Sequence, residues 1–348
     1  MLSLHVDRDR WWAHLRSVVD AHPGVVPVVK GNGYGLGIGC LAEVSGQLGA
    51  DLVAVGTYAE VPHVEKSFAG DILVLSPWRP SETRATYDAR LVHTVGRLSD
   101  LQELTAGGDR GASERPRVVL ELLTSMRRHG FTPQGLRAAA RHLEGVAVEG
   151  FALHLPISHG SHLSEMARLL DDLVASGIGT RRVFVSHLTH DELGTLRASY
   201  ADFDFRPRIG TSLWLGDRGA LRVRATVLDD HEVRRGDVFG YRGRTAPRRG
   251  HIVVVSGGTA HGIGLEAPSG GATIRDRAAR VARGSLDAAG FVRSPFTVAG
   301  KQRLFAEPPH MQVSMLFLPE GTPVPPVGTE VDVQVRFTVS TFDRLVFS

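Results

Sequence analysis

Eight short β-rich runs recur between Val25 and Leu215, each followed by a helical or polar segment: "VVPVV", "DLVAVG", "DILVLS", "RLVHTV", "PRVVLELL", "GVAVEGFALHL", "RRVFVSHL" and "FRPRIGTSLWL". Between them, "RAAARHLEG" and "SEMARLLDDLVASG" carry a helical apolar stripe and end in glycine, a common helix stop. Continuous apolar runs mark parallel strands buried on both faces. Eight strand–helix alternations therefore predict an α/β chain opening with a (β/α)8 TIM barrel, with a doubly wound open sheet as the alternative. Past Gly219 the pattern becomes "ALRVRATVL", "GHIVVVSGG", "MQVSMLFLP" and "EVDVQVRFTV" with Gly and Pro turns, the mark of a mainly β C-terminal domain. The only longer helical pattern there is "IRDRAARVARGSLDAAG". The expected domains are residues 1–218 and 219–348, with residues 1–10 able to pair with the β domain.

Charge and cysteine content exclude several classes of function. The 40 basic residues nearly balance the 37 acidic ones, leaving +3, with no basic run or aromatic stacking motif for nucleic acid. Cys40 is the single cysteine, so no intrachain disulfide forms. Asp7, Arg8, Asp9 and Arg10 stand where a signal peptide would have its apolar core, and no apolar run reaches membrane-spanning length. The expectation is a cytoplasmic protein with neither membrane nor nucleic-acid partner.

Only Lys30, Lys66 and Lys301 among the 40 basic residues are lysines. A chain that otherwise uses arginine keeps lysine for what arginine cannot do, such as attack on a carbonyl by a neutral amine. The bland reading is a lysine that happens to follow a strand. Lys30 ends the first barrel strand, and catalytic groups of such barrels sit at the strands' carboxyl ends. It opens "KGNGYGLG", which fits neither the Walker A spacing nor G-x-G-x-x-G. The alternate glycines serve some other geometry, such as a tight turn or a close approach to a flat ligand.

With this turn and this layout the chain resembles the alanine racemases, whose segment reads close to V-V-K-A-N-A-Y-G-H-G. The resemblance implies pyridoxal 5′-phosphate (PLP) held covalently by Lys30, with Tyr34 at its phosphate. "ELLTSMRRHGF" is similar to the family's K-V-D-T-G-M-x-R-x-G, which implies Arg128 at the substrate carboxylate, with Glu121 standing where many members carry a carbamylated lysine that braces this arginine. Arg127 reads as a surface residue. "EGFALHL" resembles E-G-I-Y-T-H-F and implies His154 beneath the cofactor. "RPRIGTSLW" resembles R-x-G-I-x-x-Y and implies Arg208 at the pyridine nitrogen, with Gly210 and Thr211 giving backbone N–H groups to phosphate. The family's Asn-Ser pair is not evident in "VSHLTHDEL", where Ser186 and Thr189 are the phosphate candidates. Thr189 with Glu192 also fits a helix-capping box, the favoured reading.

"GDVFGYRGRT" resembles V-S-Y-G-R-T and implies Tyr241 as a second base, entering from the partner subunit of a homodimer. The implied activity is two-base racemisation of a small amino acid, alanine above serine or a larger one, giving a D-amino acid of the kind used in peptidoglycan precursors. Backbone near Met311 would help hold the substrate. Thr259, His261, Gln312 and Phe342 depart from the family's G-Y-A-D-G, M-D and C-terminal tyrosine, which opens substrate identity and cofactor affinity. Related PLP decarboxylases use a β-domain cysteine, whereas Cys40 lies in the barrel half. A PLP-binding homologue without turnover is the non-enzyme reading. His159 and His162 lack a recognised zinc spacing, and no metal is expected.

Overall fold

The computed structural model describes residues 1–82, 88–106, 115–157, 160–265 and 292–348. It divides into two units: Trp12–Gly33 with Gly37–Gly216, and Met1–Trp11 with Tyr34–Leu36 and Asp217–Ser348. Strand β1 (Leu2–Val6) belongs to the second.

The first unit is the barrel. Its strands are β2 (Val26–Pro27), β3 (Leu52–Val55), β4 (Asp71–Pro77), β5 (Leu91–Val95), β6 (Arg117–Leu122), β7 (Ala147–His154), β8 (Arg182–Ser186) and β9 (Asp204–Ile209). All pair in parallel, in the order β2-β9-β8-β7-β6-β5-β4-β3. A parallel bridge between Val28 and Ala54 joins the two ends, and the Val29 N–H donates to the Ala54 carbonyl at 2.7 Å. The (β/α)8 expectation holds. Two predicted runs are much longer than their strands: "VVPVV" is strand only at Val26–Pro27, so Lys30 lies beyond the strand rather than at its end, and "FRPRIGTSLWL" stops as strand at Ile209, where Thr211–Leu215 is a short helix burying Leu213, Trp214 and Leu215. Gly210, at φ −119° and ψ −87°, makes that corner.

Two apolar layers hold the barrel. Val26, Val28, Leu52, Ala54, Leu73, Val92, Val119, Ala152 and Phe184 form the inner cluster. Their sequence neighbours Val118, Leu120, Phe151, Leu153, Val183 and Val185 join the cluster that packs the helices. This alternation is the period of two that a strand imposes on its side chains. Helix Leu163–Ala175 shows the matching period of 3.6: Met166, Leu169, Leu170 and Leu173 are buried. Each contributes roughly 1.5–3 kcal/mol by leaving water.

In the second unit β10 (Leu221–Val233) pairs antiparallel with β1 and with β17 along its first half, and with β13 along its second. The remaining strands are β11 (Val238–Phe239), β12 (Arg244–Thr245), β13 (Gly250–Ser256), β14 (Arg293–Val298), β15 (Lys301–Phe305), β16 (Val313–Pro319), β17 (Glu330–Val333) and β18 (Arg344–Phe347). The main sheet runs β13-β16-β15-β14-β17-β10-β1-β18, and the β13–β10 pairing closes part of it into a ring. A register shift between Val227 and Asp229 lets one long strand serve both sides. This is the mainly β domain expected from the sequence. The helical pattern "IRDRAARVARGSLDAAG" lies outside the described residues.

The alternate glycines now have a reason. Gly31, Gly33, Gly35 and Gly37 all have φ between +62° and +85°, and Tyr34 among them has φ +55°. At Gly33 a Cβ would sit 2.6 Å from the backbone nitrogen of Ile38, so the turn closes only without one. Gly33→Ala is expected to destabilise the fold by about 1–3 kcal/mol through this overlap and the left-handed backbone. A urea titration checks it, an unchanged midpoint being the contrary result.

Candidate active site

The period of two also decides which groups meet at the barrel's carboxyl end. Val28, Val119, Ala152 and Phe184 face inward, so Lys30, Glu121, His154 and Ser186, two residues further along, face inward one layer higher. Arg208 shares a register position with the inward Val26 and joins them. A polar layer thus caps an apolar one. Ser186 Oγ lies 2.8 Å from His154 Nδ1, and Thr124 Oγ1 donates to the His154 carbonyl at 2.6 Å. Arg208, 6% exposed, donates from Nη2 to the Leu153 carbonyl at 3.0 Å, while its buried Nε has no acceptor. Glu121 is buried, and its Oε2 has no hydrogen bond.

Charge in this layer is mostly positive, and each group registers it. Lys30 is open to solvent along part of its side chain. Even so, its amine is held below the usual lysine value, first by burial, then by Arg128 and Arg208, with Glu60 pulling the other way. Glu60 itself is fixed by the Gly31 and Gly56 N–H groups at 2.8 and 2.6 Å. His154 is brought down to about 3 by burial, Arg208, Arg128, His187 and Lys30, so it stays neutral at physiological pH. Burial lowers Arg208 to about 10 despite Glu121, and burial raises Glu121 despite Arg208 and Arg128. Both shifts have one origin: desolvation outweighs the pair's attraction.

The structure brings together Lys30, Glu121, Arg128, His154, Ser186 and Arg208. Arg128 is exposed on the loop after β6. Among the described residues no ion pair within 4.0 Å joins it to Glu121, whose stronger electrostatic partner is Arg208. The direct Glu121–Arg128 brace expected from the sequence is not formed: Glu121 acts on Arg128 only through space, less than on Arg208, and its Oε2 accepts no hydrogen bond. Ser186, a phosphate candidate, is engaged with His154. Gly210 precedes the short helix, and Thr211 opens its first turn, where backbone N–H groups have no intrahelical acceptor. Thr189 is a helix cap: its Oγ1 accepts from the Glu192 N–H at 3.2 Å, and Glu192 Oε2 accepts from the Thr189 N–H at 2.9 Å.

In the second unit Tyr34 is buried, whereas Tyr241 is 87% and Met311 72% exposed. Phe342 packs on Gly35, where a Cβ would lie 2.8 Å from its ring. His261 ties two segments together: Nδ1 accepts from the Gly258 N–H at 3.2 Å, and Nε2 donates to Asp343 at 3.0 Å. Thr259 and Gln312 are exposed. His162 is buried, its N–H bonded to Glu192 at 2.6 Å, and His159 lies outside the described residues.

His187 is the residue that motif reading missed. It follows β8 directly, holds φ +67°, and meets His154 edge-on with ring centroids 5.0 Å apart. Burial, Arg208 and Lys30 lead the causes that lower it. A non-glycine residue in that backbone region beside the cationic layer was the available signal only once the fold was known.

The family model "Alanine racemase, N-terminal domain" matches residues 6–202. The chain belongs to the alanine racemase family. An amino-acid racemase of Enterococcus faecalis is 25% identical over 280 residues, which is 72% of this chain and 38% of that protein. An alanine racemase of Desulforamulus reducens is 32% identical over 145 residues, 40% of this chain and 39% of that protein. The chain thus spans about two fifths of the length of these two relatives. Among solved structures, Bartonella henselae alanine racemase with covalently bound pyridoxal phosphate superposes with a TM-score of 0.74 at 16% identity, covering 100% of this chain and 99% of the other. The E. faecalis alanine racemase structure gives 0.72 at 20%, covering 100% and 98%. At such identities these neighbours speak for the fold.

The neutral His154 of this family member has a consequence for acid stability. Its folded pKa of about 3 lies below the ordinary 6.5. As pH falls through 6.5 the unfolded chain takes the proton first, so stability is lost progressively from about pH 6.5 down to about pH 3. His187, lowered in the same direction, adds to this. His154→Asn should reduce the drop in urea midpoint between pH 7 and pH 4; an identical drop in both proteins would show that His154 titrates freely.

Proposed function

We propose that this protein is a pyridoxal 5′-phosphate-dependent amino-acid racemase, with alanine the favoured substrate. The observation that carries the reading is the inward layer of Lys30, His154, Ser186 and Arg208 at the carboxyl end of a barrel of the alanine racemase family. The residues fit the cofactor on their own chemistry. Lys30 has a lysine's nucleophile with its proton affinity lowered by burial and neighbouring cations. Arg208 has a buried Nε–H with no protein acceptor, which an aromatic ring nitrogen satisfies. The backbone N–H groups of Gly210 and Thr211, with Tyr34 and Ser186, are the phosphate contacts of this reading.

When bound, pyridoxal phosphate supplies the electron withdrawal that acidifies the α-hydrogen of the amino acid. The rest is the work of this chain. His154, neutral, supports the ring without adding charge. Arg208, a permanent cation, disfavours protonation of the ring nitrogen and so limits side reactions. Arg128 and backbone at Met311 orient the substrate carboxylate, the guanidinium through its planar fork. Inversion needs proton removal on one face of the α-carbon and delivery on the other. Lys30 serves one face and the Tyr241 hydroxyl the other, each by holding a proton within hydrogen-bond reach. The active form in this reading is a homodimer in the cytoplasm, Tyr241 of one copy completing the barrel mouth of the other.

The altered residues Thr259 and Gln312, both exposed, favour serine or another amino acid as the second reading. Phe342, which offers phosphate no hydroxyl, favours a PLP-binding homologue without turnover as the third. Borohydride reduction of the loaded protein followed by peptide mapping should place a pyridoxyl group on Lys30 and none in Lys30→Ala; label elsewhere sinks the cofactor assignment. Tyr241→Phe should lose racemisation by on the order of 10²- to 10⁴-fold while keeping the cofactor's absorbance. Chiral chromatography with each L-amino acid reads both activity and substrate.

A further inference from the structure

Glu307 is a buried carboxylate for which the proposed chemistry has no use. It is 2% exposed, and a carboxylate so placed is costly unless hydrogen bonds hold it. Its Oε1 accepts from His310 Nε2 at 2.6 Å and from the Tyr241 backbone N–H at 3.3 Å. Gly240, at φ +72°, lies so close to the same carboxylate that a Cβ would overlap it. The His310 ring rests against the Tyr241 ring, centroids 4.5 Å apart and planes 44° apart. One buried acid therefore holds both ends of Tyr241, the main chain directly and the ring through the imidazole.

Tyr241 needs such a hold. It is 87% exposed, between the two-residue strands β11 and β12, with Gly240 and Gly243 beside it in left-handed backbone. A tyrosine on such a loop would sample several rotamers. Proton transfer requires one of them, because a misplacement of about 1 Å costs about 10²-fold in rate. Glu307, by accepting from Nε2, also fixes which imidazole nitrogen carries the proton and which way the ring is turned.

We propose that Glu307 and His310 are positioning residues that set the Tyr241 phenol for proton transfer at one face of the substrate α-carbon. The proposal rests on the reading of Tyr241 as second base. Two readouts test it in the full-length, cofactor-loaded enzyme. In protein labelled with 3-fluorotyrosine, Tyr241→Phe identifies the Tyr241 fluorine signal. His310→Ala should shift and narrow that signal, because the adjacent ring is lost and the phenol moves more freely. Kinetics with L- and D-alanine deuterated at the α-carbon then read function. The racemisation equilibrium constant is one, so kcat/KM falls equally in both directions and cannot distinguish the faces. The isotope effects can.

His310→Ala and His310→Phe, the second keeping a ring but losing the bond to Glu307, should lower kcat by on the order of 10- to 100-fold with KM nearly unchanged. The isotope effect should rise for the enantiomer whose α-hydrogen faces Tyr241 and not for the other. Glu307→Gln, which keeps an acceptor oxygen, should retain more activity than His310→Ala. An unmoved fluorine signal, unchanged kinetics in both His310 variants, or a loss of rate with both isotope effects unchanged overturns the proposal. Racemisation surviving in Tyr241→Phe would instead remove Tyr241 as a base, and with it the ground for the clamp.

Discussion

The barrel closes through the Val28–Ala54 bridge and the 2.7 Å hydrogen bond from the Val29 N–H to the Ala54 carbonyl. The site's electrostatics depend on that closure. Lys30 extends from one edge of an otherwise open sheet, and Glu121, His154 and Ser186 lie on strands near its middle. Arg208, on the adjacent strand β9, is near the lysine in any case, but only a sheet curled until its edges meet brings the lysine near Arg128, after β6, and near Glu60, beyond β3. The closure also explains Gly56, two residues beyond the inward Ala54, where a Cβ would lie 3.3 Å from the Cβ of Lys30. Any larger residue there would push the lysine stem away from the bridge.

Once closed, the barrel sets the buried Arg208 beside the more exposed Lys30 and Arg128. Glu121 is the buried acid within that layer, and its attraction for Arg208 does not repay the desolvation of either partner. Such an arrangement costs stability by itself. Its effect is to disfavour every further positive charge nearby, which keeps His154 neutral and moves the Lys30 amine toward its nucleophilic form. A cationic mouth also suits a ligand carrying phosphate and carboxylate.

Legibility in the sequence followed the range of the interactions. The barrel strands were readable because burial on both faces writes itself as local Val- and Leu-rich runs, and the Thr189 cap because its bonds span three residues. The inward layer was readable as motifs, yet its geometry depends on strand register, which no local pattern carries. Strand β1 pairs with β10 and β18, more than two hundred positions away, so its partners had no local signature. His187 escaped notice because its left-handed backbone follows from the β8 corner and not from residue type. Glu307 and His310 escaped because an acid three residues before a histidine is common in any loop; burial alone distinguishes this pair.

The two proposed bases are prepared by opposite means. Lys30 directly follows the bridged segment that closes the barrel, and its amine is tuned by burial and by the charges of Arg128, Arg208 and Glu60. Tyr241 stands on an exposed loop, where no strand fixes direction, and so its orientation depends on directional bonds to a buried acid. A group held just beyond a barrel strand takes its direction from the closed sheet, and only its charge remains to be adjusted. A group on a loop has no sheet to direct it, and the buried carboxylate of Glu307, bonded to the tyrosine's own main chain and to the imidazole against its ring, takes that part.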